Sequence, residues 1–156
     1  MFKHVLVALD ASECSEQALP TAIEIARKFD ADLFVLHVAE HDRGRAAAYS
    51  IESPAEAARL VGDAVDIARK AGVSARGELV DKAAGHVPEA IQEAAAARDV
   101  DLIVMGSRGL SDGLGFLVGS VTHKVMQKVG IPVLVIRAGK PATQKPAAVA
   151  STAGRA

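Results

Sequence analysis

Asp101-Leu102-Ile103-Val104-Met105-Gly106-Ser107-Arg108-Gly109 is followed, nine residues beyond its last glycine, by Gly119-Ser120. The opening residues form the short apolar run of a strand whose sheet is covered on both faces. Glycines at the mouth of such a strand let backbone amides approach an anion, and a helix beginning near Gly119 aims its unsatisfied N–H groups at the same place. The block therefore predicts a strand, a phosphate-meeting loop and a helix start, in that order.

Similar runs lie on either side of it. Val5-Leu6-Val7-Ala8-Leu9 ends at Asp10, and others cover Asp32 to Val38 and Pro132 to Ile136, with a more polar one at Val73 to Val80. Between them, apolar residues recur at helical spacing: Leu19, Ala22, Ile23 and Ala26; Ala57, Val61, Ala64 and Ala68; Val87, Ile91, Ala94 and Ala95; Val118, Val121, Val125 and Val129. Ser53-Pro54 reads as a helix start, with serine as cap and proline in the first turn, while Gly72 and Gly130 read as helix stops. Five strands alternating with four helices predict an α/β fold, an open parallel sheet with helices on both faces and right-handed crossovers. The carboxyl ends that carry unusual chemistry, Ala8-Leu9-Asp10-Ala11-Ser12 and Met105 to Gly109, belong to the first and fourth strands. Placing those two side by side at the switch point gives strand order 3-2-1-4-5.

Composition narrows the class of function. The chain has 156 residues, 50% apolar and 24% charged, with a net charge of −1. That is one domain's worth, with no electrostatic reason to expect a nucleic acid or an acidic membrane as partner. A single cysteine, Cys14, excludes an internal disulfide framework and a Cys-based zinc site, so a reducing, cytoplasmic setting is expected. Met1-Phe2-Lys3-His4 runs straight into a strand pattern without an apolar signal core, and no apolar stretch has membrane-spanning length, so neither export nor insertion is expected. Residues 41–53 read as a flap between the second strand and second helix. Residues 138–156, rich in Ala, Pro, Thr and Lys, read as a disordered tail beyond a domain spanning residues 1–137.

Individual residues carry two readings each. Asp10, at a strand terminus, suits ribose hydroxyls or a metal-bound water, but an aspartate before a helix also serves as a cap. Ser12 reads mainly as a helix cap. Gly106 and Gly109 suit an ordinary turn, yet with Gly119-Ser120 they are better explained by a phosphate cradle. Arg108 pairs with a phosphate or simply sits exposed on its loop. Other matches fail. Gly113-Leu114-Gly115 continues to Val118 where a dinucleotide fingerprint needs glycine, no Gly-Lys-Ser/Thr triplet exists, and His37 and His41 do not share a helix that would pair them on a metal. No Ser-His-Asp set can be assembled.

The opening strand with Asp10 and Ser12, the Leu36-His37-Val38 end of the second strand, the run Asp101 to Gly109, the Gly-x2-Gly-x9-Gly-Ser spacing and Pro132-Val133-Leu134-Val135-Ile136 together resemble the universal stress protein family. The resemblance spans Met1 to about Arg137. It implies a five-stranded α/β fold related to adenine-nucleotide α-hydrolases, a homodimer through strand 132–137, and, given the glycine spacing, the ATP-binding branch. It implies that Ala8, Leu9 and Asp10 border adenine and ribose, that the Val38 backbone reads the adenine edge, and that Met105 and Gly106 line the nucleoside floor. Gly109, Gly119, Ser120 and Val121 would hold the phosphates. Ala8 departs from the proline many relatives carry there. The expected function is a nucleotide-dependent regulatory or stress-response factor binding ATP, with or without Mg, and hydrolysing it slowly at most, acting on an unknown protein partner. Two alternatives stand beside it: a nucleotide-independent dimeric interaction or chaperone-like module, and an ATP α-hydrolase-type enzyme, whose usual Ser-Gly-Gly-x-Asp-Ser or His-x-Gly-His motif this chain lacks.

Overall fold

Uninterrupted apolar runs become central strands because each side chain, whichever face it points to, meets a helix. The computed structural model describes residues 1–42, 49–50, 53–107 and 118–137. Strand β1 (His4–Leu9) leads through helix α1 (Glu13–Phe29) to β2 (Asp32–Asp42), a short β3 (Tyr49–Ser50), α2 (Pro54–Lys70) and β4 (Ala75–Ala83). Helix α3 (Val87–Ala96), β5 (Leu102–Gly106), α4 (Ser120–Lys128) and β6 (Val133–Ile136) complete it. The parallel strands lie in the order β4-β2-β1-β5-β6, which is the 3-2-1-4-5 order expected from the sequence.

Two cores sandwich the sheet. Val5, Val7, Leu33, Val35 and Val104 pack against α1 and α2 through Ala18, Ala22, Val61 and Ala64. Leu6, Leu36, Ile103 and Met105 face α3 and α4 through Ile91, Ala94 and Val125. Each fully buried aliphatic side chain of this kind contributes about 1.5–3 kcal/mol of transfer free energy. Ser53 and Glu56 form the reciprocal capping box of α2, the serine accepting from Glu56 N–H at 3.2 Å and its own N–H donating to Oε2 at 3.1 Å. Gly72 follows that helix with φ +81°, as a helix-stopping glycine should.

Several boundaries moved. Strand β2 continues past Val38 through Ala39-Glu40-His41-Asp42 because β4 pairs with it as far as His41↔Ala83, so the first residues assigned to the flap are strand. Tyr49 and Ser50, also assigned there, return antiparallel to Asp42 and His41. Helix α4 is shorter than its valine spacing suggested: Val118 precedes it and Val129 is its extended C-cap, so the helix stops before Gly130. Residues 43–48 and 51–52 of the expected flap, the site candidates Arg108 and Gly109 with residues 110–117, and the expected tail 138–156 lie outside the described residues.

Candidate functional site

Backbone direction fixes what each strand end offers. The Asp32 N–H donates to Lys3 O, whereas Leu33 N–H donates to Ser74 O; even-numbered residues of β2 therefore direct their backbone groups toward β1 and odd-numbered ones toward β4. Register between β1 and β2 ends at Leu9↔His37. Val38, even-numbered and one position further, thus turns its carbonyl toward ground that β1 no longer occupies. On the other side β1 pairs with β5 as far as Ala8↔Met105. The strand order reverses here, and α1 leaves to one face while α4 lies on the other, the position at which open α/β sheets form a crevice.

The α1 side of the crevice is satisfied by its own residues. Ser12 is the N-cap, its Oγ accepting from Ser15 N–H at 3.2 Å and donating to Asp10 Oδ1 at 2.5 Å, while Ser12 N–H donates to the same carboxylate oxygen at 3.1 Å. Between them Ala11 holds φ +59°, a left-handed conformation costly for alanine, so the turn is tightly specified. Glu13 and Glu16 stand in the first turn and complement the positive end of the helix. The turn also explains Gly106. A Cβ there would lie 2.7 Å from Cys14 Cβ and 3.1 Å from Ser15 N, so this glycine is demanded by α1 resting on the end of β5.

Helix α4 begins differently. Gly119 N–H donates to Ser107 O at 2.5 Å, and the buried Thr122 hydroxyl donates to Gly106 O at 2.8 Å. Ser107 N–H in turn donates to Ile136 O at 2.6 Å. The helix start is thereby tied to the carboxyl ends of β5 and β6. Yet its N-cap, Gly119, supplies no side-chain hydrogen bond and its first turn holds no acidic residue. The N–H groups of Ser120, Val121 and Thr122, which no helix can satisfy internally, have no acceptor among the described residues. Gly119 itself has φ −70° and ψ 162°, extended backbone open to any residue, so its conformation does not require glycine. At the far end of α4, Lys128 Nζ lies 2.9 Å from Glu89 Oε1 of α3 and, chiefly through that hydrogen bond, holds the Glu89 carboxyl below its ordinary value.

Of the residues singled out from sequence, Ala8, Leu9, Asp10, Met105 and Gly106 stand together on the adjacent ends of β1 and β5. Gly119, Ser120 and Val121 form the α4 start tied to that end, and Val38 flanks the other side. Asp10 acts on its own turn through Oδ1, and its Oδ2 has no partner among the described residues. Ser12 caps, as its main reading held. Three contributors were missed: Thr122, which docks α4, and Ser15 and His37, which touch the backbone at Asp10 and Leu9. Thr122 carried a signal, a hydroxyl residue in the first turn of the helix after Gly119-Ser120. Among the described residues no group of three or more His, Cys, Asp or Glu is placed to hold a metal ion, and no helix is long and apolar enough to cross a membrane.

The model of the universal stress protein family matches residues 1–137. Universal stress protein YxiE of Bacillus subtilis is 33% identical, the match covering 88% of this chain and 100% of that one. A universal stress protein crystallised in complex with cAMP superposes with a TM-score of 0.66 at 27% identity, covering 88% of this chain and 98% of its own. The universal stress protein of Archaeoglobus fulgidus in complex with dAMP superposes with a TM-score of 0.65 at 26% identity, covering 86% and 98%.

Proposed function

The chain belongs to the universal stress protein family, and on that premise we propose that the crevice between β1 and β5 binds an adenine nucleotide, ATP foremost, as the input to a regulatory role in stress responses. The observation that carries this reading is the start of α4: N–H groups without acceptors among the described residues, no side-chain cap hydrogen bond and no first-turn acid, the arrangement an anion completes. Two structural neighbours hold adenine nucleotides, cAMP and dAMP, which supports the ligand class. In this reading the phosphates meet Gly119, Ser120 and Val121 together with Gly109 and Arg108, while Asp10 takes the ribose hydroxyls. The base lies along Ala8, Leu9, Met105 and Gly106, its exocyclic amine donating to the Val38 carbonyl. A Mg ion carried by the triphosphate would be met by Asp10 through water. Hydrolysis is slow at most, because among the described residues no general base or nucleophile stands beside the residues given to the phosphates. The setting is cytoplasmic, in keeping with the single thiol.

A second reading rests on β6. It pairs with β5 alone among the described residues, and an apolar strand with a free edge invites a second copy of the chain. A homodimer across Val133–Ile136 accompanies nucleotide binding; without such binding, it would be the function left standing. Mass spectrometry of small molecules released from the purified protein, followed by calorimetric titration with ATP, AMP and cAMP, decides between them. Bound adenine nucleotide supports the first reading. No binding at millimolar nucleotide overturns it, and a monomer by light scattering at high concentration removes the second.

A further inference from the structure

The peptide joining Leu9 to Asp10 is gripped from both ends by buried side chains. Its carbonyl, Leu9 O, lies 2.7 Å from His37 Nδ1, and its amide, Asp10 N–H, donates to Ser15 Oγ at 3.0 Å. His37 is 4% exposed and Ser15 2%. A carbonyl can only accept, so Nδ1 carries the proton. His37 also occupies the last register position between β1 and β2, opposite Leu9 and directly before Val38. The ring of His37 therefore touches the residue before Asp10, and its backbone leads directly into Val38.

We infer that His37, with Ser15 as its counterpart, is a positioning residue for the nucleoside end of the ligand. Resting on the adenine-nucleotide reading above, the inference is that the clamp fixes the peptide plane from which the Asp10 side chain departs, and with it the gap between Asp10 and the Val38 carbonyl. No phosphate contact depends on it, since α4 is anchored separately through Ser107 and Thr122. A residue that only supported the core would instead act on the whole site at once. Side chains placing a ligand-binding group gain their effect by removing its alternative orientations.

The test uses His37→Leu, His37→Asn and Ser15→Ala in the full chain, with two ligands and one ligand-free readout. Calorimetry measures ATP and inorganic tripolyphosphate, which lacks a nucleoside; hydrogen exchange follows the Asp10 amide in the unliganded protein. For His37→Leu, ATP should weaken roughly tenfold, the equivalent of one hydrogen bond to a buried group, tripolyphosphate should be unchanged, and Asp10 exchange should quicken. His37→Asn, whose amide nitrogen reaches the place of Nδ1, should recover most of the ATP affinity. Ser15→Ala should quicken Asp10 exchange and weaken ATP about threefold, and it decides the matter alone should His37→Leu fail to fold. Equal loss for ATP and tripolyphosphate, an asparagine no better than leucine, or unchanged exchange at Asp10 in Ser15→Ala would each overturn the clamp while leaving the nucleotide reading intact. A parent protein that binds tripolyphosphate but no adenine nucleotide would overturn that reading and the positioning role together.

Discussion

Helices α1 and α4 begin beside the same strand ends, on opposite faces of the sheet, and their first turns are built on opposite principles. Helix α1 closes on itself: Ser12 caps Ser15 N–H, Asp10 braces Ser12, and Glu13 and Glu16 complement the helix dipole. Helix α4 is anchored as well, by Ser107 and Thr122, but among the described residues the anchors hold its frame and leave its first-turn donors unclaimed. The contrast teaches that rigidity and saturation are separate properties of a helix terminus. A start that is fixed in place and unsatisfied has its ordering cost met in advance, which is what preorganised binding requires.

Substitutions that act on one terminus and not the other break the comparison. Gly119→Val should have the largest effect: φ −70° and ψ 162° put no backbone strain on valine, and ATP affinity should fall on the order of a hundredfold because a branched side chain fills the approach to the α4 amides. Calorimetry checks it, and undiminished affinity in the folded variant would remove phosphate from this terminus. On the α1 side, Gly106→Ala should cost about 2 kcal/mol of stability in urea unfolding, since the new methyl meets Cys14 at 2.7 Å and the interface is already closed. A loss under about 0.5 kcal/mol would mean that α1 rests on β5 less tightly than the geometry states. Ser12→Ala should cost about 1 kcal/mol, the usual value of an N-cap, again read from urea unfolding.

The smallest effect sharpens the contrast through pH. Glu56, in the capping box of α2, has its carboxyl held below the ordinary value, mainly by the Ser53 hydroxyl. A depressed folded value means that this contribution is full above the unfolded value near 4.5 and is lost as pH falls through the folded one. The stability difference between the parent and Glu56→Gln should therefore be present at neutral pH and vanish in strong acid. Chemical unfolding at several pH values measures it. The α4 start has no first-turn carboxylate, so it offers no matching group to titrate.

Much of this architecture was legible in the residues. Apolar runs marked β1, β2, β5 and β6, a more polar run at Val73 to Val80 marked the β4 that spans Ala75–Ala83, and unusual chemistry at two strand ends gave the sheet order, because only neighbouring ends converge on one crevice. Ser12 and Ser53 declared their helix starts since capping is local, decided within four residues. What escaped depends on contacts distant in sequence. Gly106 read as an approach for a ligand, yet the structure also makes it the seat of α1, reached by Cys14 from 92 positions away. His37 acts on Leu9, 28 positions away, and nothing in the Leu36-His37-Val38 stretch says which backbone it will meet. Strand β2 outran its apolar run because Glu40 to Asp42 are polar residues held by edge pairing, which hydrophobic periodicity does not report.

The central claim, that the ligand's phosphates lie against the open start of α4 and not the closed start of α1, is tested most directly by following backbone amide resonances during titration with ATP. The amides of Ser120, Val121 and Thr122 should shift strongly downfield and saturate together, as new hydrogen bonds form, while those of Ser12 to Ser15 move little. Saturating ATP that shifts the α1 amides and leaves Ser120 to Thr122 in place would contradict the account.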